Sequence, residues 1–370
     1  MIIFKTSQQE VLSHLQTIAG IVEKRHTVPV LANVLIHKQG EQSIWTTSDL
    51  EIQMRKQTAL GGDEVDNYST TVAVRKLLDI LRTLPAEQQV SLEEKDQKLV
   101  LRAGKSRFTL QSLPAQDFPL VQEASNHSTA IELPQKELKK LLHQVAFAMA
   151  VQDIRHYLNG LLLQIDGNKL AIVATDGHRL AYTETKLPQD LPKQEIILPR
   201  KTVVELLRLL SDQDDAKIEL AFASNQARFR LGNLEFISKL VEGKFPDYNR
   251  VIPQNHPHTL LVSRTALQAA LQRTAIMMSD KFKGVRLNLE PGLLRVSSNN
   301  NEQEEAQDEL DVDYSGPAIE IGFNVTYLQD ILANTNQEMV RFELQDGNSS
   351  SLISVPEIEG FKYVVMPMRI

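Results

Sequence analysis

Asp176 and His178 stand two residues apart in Ala174-Thr-Asp-Gly-His-Arg-Leu-Ala181. A carboxylate beside an imidazole is a usual pairing of orienting group and general base. No nucleophile in a supporting context accompanies them, and the nine histidines show no metal-ligand spacing. The chain has no cysteine, which excludes a disulfide framework and thiolate metal sites and fits a reducing compartment. No Walker-type phosphate loop, with a glycine five residues ahead of Gly-Lys-Ser/Thr, is present. No catalytic, cofactor or metal centre assembles, and a hydrolase built on Asp176 and His178 remains only a competing reading.

The other chemistry is carried by charge. Lys136, Lys139, Lys140 and His143 recur at helical spacing opposite Leu138, Leu141, Leu142 and Val145. Residues 73–84, 135–147, 199–210 and 263–275 each carry net +2, from side chains such as Arg75, Arg82, Arg200, Lys201 and Arg273. With helices near Glu10 and Asp330 at −1 each, the six helical segments sum to +6 on a chain of −7, leaving −13 elsewhere. Solvated helix faces often carry lysine and arginine, but repetition at equivalent places suits diffuse attraction to phosphates. No element has the spacing of a base reader. Glu302, Glu304, Glu305, Asp308 and Glu309 form an acidic run, whose ordinary reading is a solvated loop.

Three similar modules position these groups. Segments starting at Ser7, Pro134 and Ser263, 127 and 129 residues apart, each lead from an amphipathic helix into an apolar run, Leu31-Ala-Asn-Val-Leu-Ile in the first. Each has a second helix of the same plan, at 72–81, 198–207 and 323–332, and an aromatic near its end, Phe118, Phe245 and Phe361. Pro134 and Pro199 suit first helical turns. Alternating runs such as Lys98–Arg102, Ala227–Leu231 and Leu293–Ser297 read as antiparallel strands with one wet face. Polar connectors predict domains at 1–125, 126–255 and 256–370, each an α+β module of two helices packed on antiparallel sheets. The 370 residues are 42% apolar and 24% charged, ordinary for a folded protein. The start, Met1-Ile-Ile-Phe-Lys5, lacks signal-peptide features, and the apolar stretch 145–151 is far short of a membrane span. A cytoplasmic protein is expected.

Leu158-Asn-Gly-Leu-Leu-Leu, the 174–181 segment, Gly243-Lys-Phe-Pro-Asp-Tyr248, Lys281-Phe-Lys-Gly-Val-Arg286 and Tyr363-Val-Val-Met-Pro-Met-Arg-Ile370 resemble, in order along the whole chain, the beta subunit of bacterial DNA polymerase III. The resemblance implies the DNA clamp fold in three tandem domains and a head-to-tail homodimer forming a ring around double-stranded DNA. It implies no cofactor, no membrane and no catalysis. It carries over DNA-contacting positions Arg25, Gln152, His156 and Tyr157, with His156 standing where two aromatics are common. The lysines and arginines of the helices would line the hole.

The resemblance also implies a groove for short linear motifs with a glutamine and paired leucine or phenylalanine anchors. The DNA polymerase III alpha subunit, the clamp loader delta subunit, other polymerases and repair proteins would present them. Its residues carry over as Arg155, Leu158, Thr175, Gly177, His178, Arg179, Leu180, Pro246, Arg250, Val251, Asn324, Tyr327, Ser350, Val364, Met366, Pro367, Met368 and Arg369. An apolar groove with a few polar clamps suits such peptides, and the methionines adapt to several sequences. So apolar a chain end should pack on something, if only to complete a sheet. Ring closure would set Lys76, Lys98, Lys105 and Arg107 against the acidic run, with Ile276 and Met277 on Phe108 and Leu110. A repeat-built interaction scaffold that never encircles DNA is the competing non-enzymatic reading.

Overall fold

A computed structural model describes residues 1–23, 27–96, 98–279 and 283–370. Arg25 lies outside them, as do Lys281 and Phe282 of the motif quoted above. Contacts divide the chain into two compact units, one of Met1–Leu138 and Val204–Leu240, the other of Lys139–Val203 and Val241–Ile370.

Six α-helices occur among the described residues, where the spacing puts them: α1 (Gln8–Ile18), α2 (Val74–Arg82), α3 (Gln135–Ala146), α4 (Arg200–Leu209), α5 (Arg264–Ala275) and α6 (Val325–Ala333). Ser7, Ser263 and Asn324 cap α1, α5 and α6 by accepting amides of Glu10, Ala266 and Thr326. Pro134 and Pro199 end the preceding strands rather than opening the helices. There they keep the extended backbone proline favours and leave the helices starting one residue later. A nine-residue helix such as α2 is too short to persist alone. It persists because Val74, Leu77, Leu78 and Leu81 are buried, each contributing about 1.5–3 kcal/mol.

All named strands pair antiparallel. In the first unit a four-stranded sheet runs Ile2–Ser7, Gln89–Lys95, Lys98–Ala103, Ser106–Leu110. An eight-stranded sheet crosses from the first repeat to the second where Ile52–Thr58 pairs Leu234–Lys239, with Met54 opposite Phe236. Trp45, on the Gln42–Ser48 strand of that sheet, is fully buried, 5.6 Å from Phe4 and edge-on to His14 at 5.1 Å.

The second unit repeats the plan. Its six-stranded sheet orders Gly160–Thr175, Arg179–Pro199, Lys362–Val365, Ser351–Ser354, Met339–Leu344 and His258–Ser263. Here the crossing between repeats sets Leu180 opposite Val364 and Arg179 opposite Val365. A four-stranded sheet follows, Glu305–Asp311, Leu293–Asn299, Gly284–Glu290, Ile319–Asn324. The hairpin of 16 and 21 residues is longer than the short strands the sequence suggests, because pairing continues past Gly167 through polar residues that carry no apolar alternation.

Candidate functional site

The antiparallel pairing of Arg179–Pro199 with Lys362–Val365 brings the 174–181 turn beside the last residues of the chain. Leu180 and Val364 form the floor, both nearly inaccessible. Tyr248 closes one side, its ring 5.6 Å from that of Tyr182. A groove of about 190 Å³ remains, lined by Leu158, Leu180, Pro246, Val251, Val364 and Met366 together with Arg155, Thr175 and His178. That is smaller than the ~300–1,000 Å³ that encloses a small molecule. It suits a few apolar side chains presented by a longer, extended ligand.

The turn is built to keep its shape. Asp176 accepts the amides of His178 at 2.9 Å and Arg179 at 3.1 Å, and its second oxygen accepts from Arg179 Nε at 3.0 Å. Thr175 accepts the Gly177 amide and donates to the Arg179 carbonyl. Gly177 sits at φ +91°, and a Cβ there would come within 3.1 Å of Arg155 Nη2. Arg155 is held by Asp153 at 2.9–3.0 Å and reaches the Asp176 carbonyl at 3.3 Å. The Arg155 guanidinium and amide hold the Asp153 carboxyl down to about 2, so this clamp stays charged through the physiological range. The Asp176 carboxylate serves the turn and Arg179, not the His178 imidazole. The bonds of the turn thus account for this carboxylate without a catalytic role.

Eleven of the carried-over groove residues line it: Arg155, Leu158, Thr175, Gly177, His178, Arg179, Leu180, Pro246, Val251, Val364 and Met366. Seven lie off the lining. Arg250 points to solvent, paired with Asp247 at 2.9 Å. Asn324 caps α6, and the Tyr327 ring lies under the Arg179 guanidinium at 4.5 Å. Ser350 precedes the strand Ser351–Ser354. Pro367, Met368 and Arg369 run past the mouth, where the Met368 amide donates to the Gly322 carbonyl at 2.7 Å. The chain end packs as expected through the buried Tyr363, Val364 and Val365, while Met366 and Met368 stay about 40% exposed. Asp247 and Tyr248 line the groove without having been singled out, although the motif that supplied Pro246 runs through both.

The DNA candidates are placed as follows. Tyr157 lines the groove and packs on its apolar core. Gln152, at φ +57°, and His156 are exposed on the adjoining loop. Lys136 and Lys140 are exposed on α3, Lys136 meeting Asp214 at 2.8 Å, and Lys139 is half-buried. Arg200 and Lys201 are half-buried at the start of α4, Arg200 donating to the Met149 carbonyl at 3.3 Å.

The two candidate contact patches lie on sheet edges, one in each unit. Lys105 and Arg107 are exposed at the edge strand Ser106–Leu110, Phe108 is half-buried and Leu110 buried; Lys76 is exposed on α2 and Lys98 on the neighbouring strand Lys98–Ala103. The other edge is Glu305–Asp311. There Asp308 already pairs with Arg273, and Glu309 with Arg295 at 3.0 Å, so Glu302, Glu304 and Glu305 carry the uncompensated charge. Ile276, past the end of α5, is 74% exposed, and Met277 half-buried. A larger hollow of about 1050 Å³ in the first unit includes only Lys98 of the candidates and mixes charged with apolar walls.

Three family models match the chain in order. They describe the N-terminal domain of the DNA polymerase III beta subunit at residues 2–122, the central domain at 132–247 and the C-terminal domain at 249–369. The beta sliding clamp of Pseudomonas aeruginosa is 44% identical over 370 residues, covering 99% of this chain and all of the relative. That of Escherichia coli K12 is 41% identical over 367 residues, with the same coverage. A crystal structure of the P. aeruginosa DNA polymerase III subunit beta superposes with a TM-score of 0.95 at 43% identity over the whole of both chains. Another from that organism, bound to griselimycin, gives 0.95 over 99% of both. Three domain models in tandem and relatives matched end to end place this chain in the DNA polymerase III beta subunit family, the bacterial sliding clamps.

Proposed function

We propose that the protein is the processivity factor of a replicative DNA polymerase. Two copies close head to tail into a ring around duplex DNA, and the groove beside Leu180 tethers polymerases and other replication or repair proteins by short linear motifs. Family membership supports the clamp. The observation that carries the tethering is the groove itself, assembled from Leu158, Leu180, Pro246, Val364 and Met366, which are far apart in sequence and converge on one apolar floor. Domains of 1–125, 126–255 and 256–370 are part of this reading, beside family-model spans of 2–122, 132–247 and 249–369.

The ring has physical support at both edges. An edge strand presents unpaired amides and carbonyls that another strand can complete. Ser106–Leu110 carries basic residues and Glu305–Asp311 acidic ones. Two different patches joined head to tail close only if the rotation returns on itself, here after two copies. The ring needs no catalytic group, and the polymerase alpha subunit and loader delta subunit are the first partners to test. No helix among the described residues is long and apolar enough to cross a membrane. A cytoplasmic site of action follows from the replication role.

Deleting Met366–Ile370 tests the tether. It removes one wall of the groove and the Met366 amide bond to the His178 carbonyl at 3.0 Å. The truncated protein is expected to remain a dimer by light scattering, to bind a fluorescein-labelled peptide with glutamine, leucine and phenylalanine anchors at least tenfold more weakly, and to support no processive synthesis. Peptide binding equal to that of the intact chain would refute the groove.

A further inference from the structure

Arg179 lies in the groove's turn, where an arginine could be read as a clamp for the ligand. Its guanidinium is otherwise engaged. Nε donates to Asp176 at 3.0 Å, Nη1 donates to the Asp330 carboxylate on α6, and Nη2 donates to the Phe147 carbonyl just past α3 at 2.7 Å. The plane lies over the Tyr327 ring at 4.5 Å and near the Phe147 ring at 5.7 Å. The side chain is 10% exposed. A planar fork satisfied on three sides and stacked on aromatics has little left for a ligand. The Phe147 carbonyl sits at the negative end of a helix, where a cation is favoured.

We propose that Arg179 is a positioning residue: it fixes the 175–180 turn to α6 and to the end of α3, so that groove shape and the setting of those two helices depend on one another. The inference rests on the groove being a peptide site. An arginine whose fork donates to three separate acceptors while stacked on an aromatic ring is not replaceable by a lysine, whose point charge reaches one partner at a time. Losing Asp330 frees one guanidinium nitrogen and loosens the turn from α6. Both changes act on the ligand through the turn rather than through a guanidinium contact with it.

The discriminating experiment titrates the intact protein and its R179K, D330N and R179K/D330N variants with two fluorescein-labelled peptides, alike in their glutamine, leucine and phenylalanine anchors and differing in a neutral or acidic flank. Circular dichroism and thermal melting check folding. Positioning predicts that R179K and D330N each weaken binding five- to fiftyfold, by the same factor for both peptides, with the double variant no weaker than the worse single one. D330N keeps the inference testable should R179K fold poorly. If D330N binds as well as the parent, or binds the acidic peptide more tightly, Arg179 is a ligand contact and the inference falls. If the parent binds neither peptide, the groove reading itself fails and takes the inference with it.

Discussion

At the scale of single residues, Gly177 shows what the groove turn requires. In the equivalent turn of the first repeat, Asp49-Leu-Glu51, the amides of Glu51 and Ile52 likewise donate to the Asp49 carboxylate, and Leu50 is held at φ +78°. A side chain is therefore tolerated in the left-handed region at a cost of about 1 kcal/mol. What sets Gly177 apart is the Arg155 guanidinium lying against it. Gly177→Ala should cost about 1–2 kcal/mol in urea denaturation and weaken peptide binding severalfold by pushing Arg155 aside. His14 gives a second residue-scale test. Burial first, and then Lys56, push its imidazole down to about 3, and it packs neutral against Trp45. Its folded value lies below the unfolded ~6.5, so the unfolded chain binds the extra proton. The stability His14 contributes is complete above about pH 6.5 and falls toward pH 3, by up to ~1.4 kcal/mol per pH unit. Urea midpoints of the parent should drop more steeply below pH 6.5 than those of His14→Leu; parallel slopes would contradict the assignment.

Among elements, the proposed closure rests on the two sheet edges. Exposed ion pairs contribute only ~0–1 kcal/mol each, and Asp308 and Glu309 are spent on Arg273 and Arg295 within their own unit. The apolar contact must therefore do more, and Ile276, 74% exposed, is the residue to remove. Ile276→Ala with Met277→Ala should shift the particle to monomer in light scattering at micromolar concentration; an unchanged dimer would show that closure lies elsewhere. All six helices were legible in the sequence because the spacing of leucines is local, as in Val203, Leu206 and Leu210 of α4 and its neighbouring segment. The sheet crossings at Met54–Phe236 and Leu180–Val364 were not, since strand pairing between residues so distant in the chain leaves no local period. Tyr248 escaped notice for the same reason: its ring matters only where it meets Tyr182. The role of Asp330 was hidden likewise, 151 residues from its partner.

Over the whole molecule, net charge and partner are opposed in sign, a −7 chain on a polyanion. The opposition dissolves if grip is topological. A ring held by closure needs only mild attraction from helices such as α3 and α4, and strong phosphate contacts would raise affinity at the cost of sliding. An open scaffold with the same groove would hold its partners without regard to whether DNA has ends. The measurement that separates them loads the protein onto nicked circular duplex with a clamp loader and ATP, isolates the complex by gel filtration, and then cuts the circle once. The ring predicts retention on the circle and release within minutes of linearisation; equal retention on linear and circular DNA would contradict it.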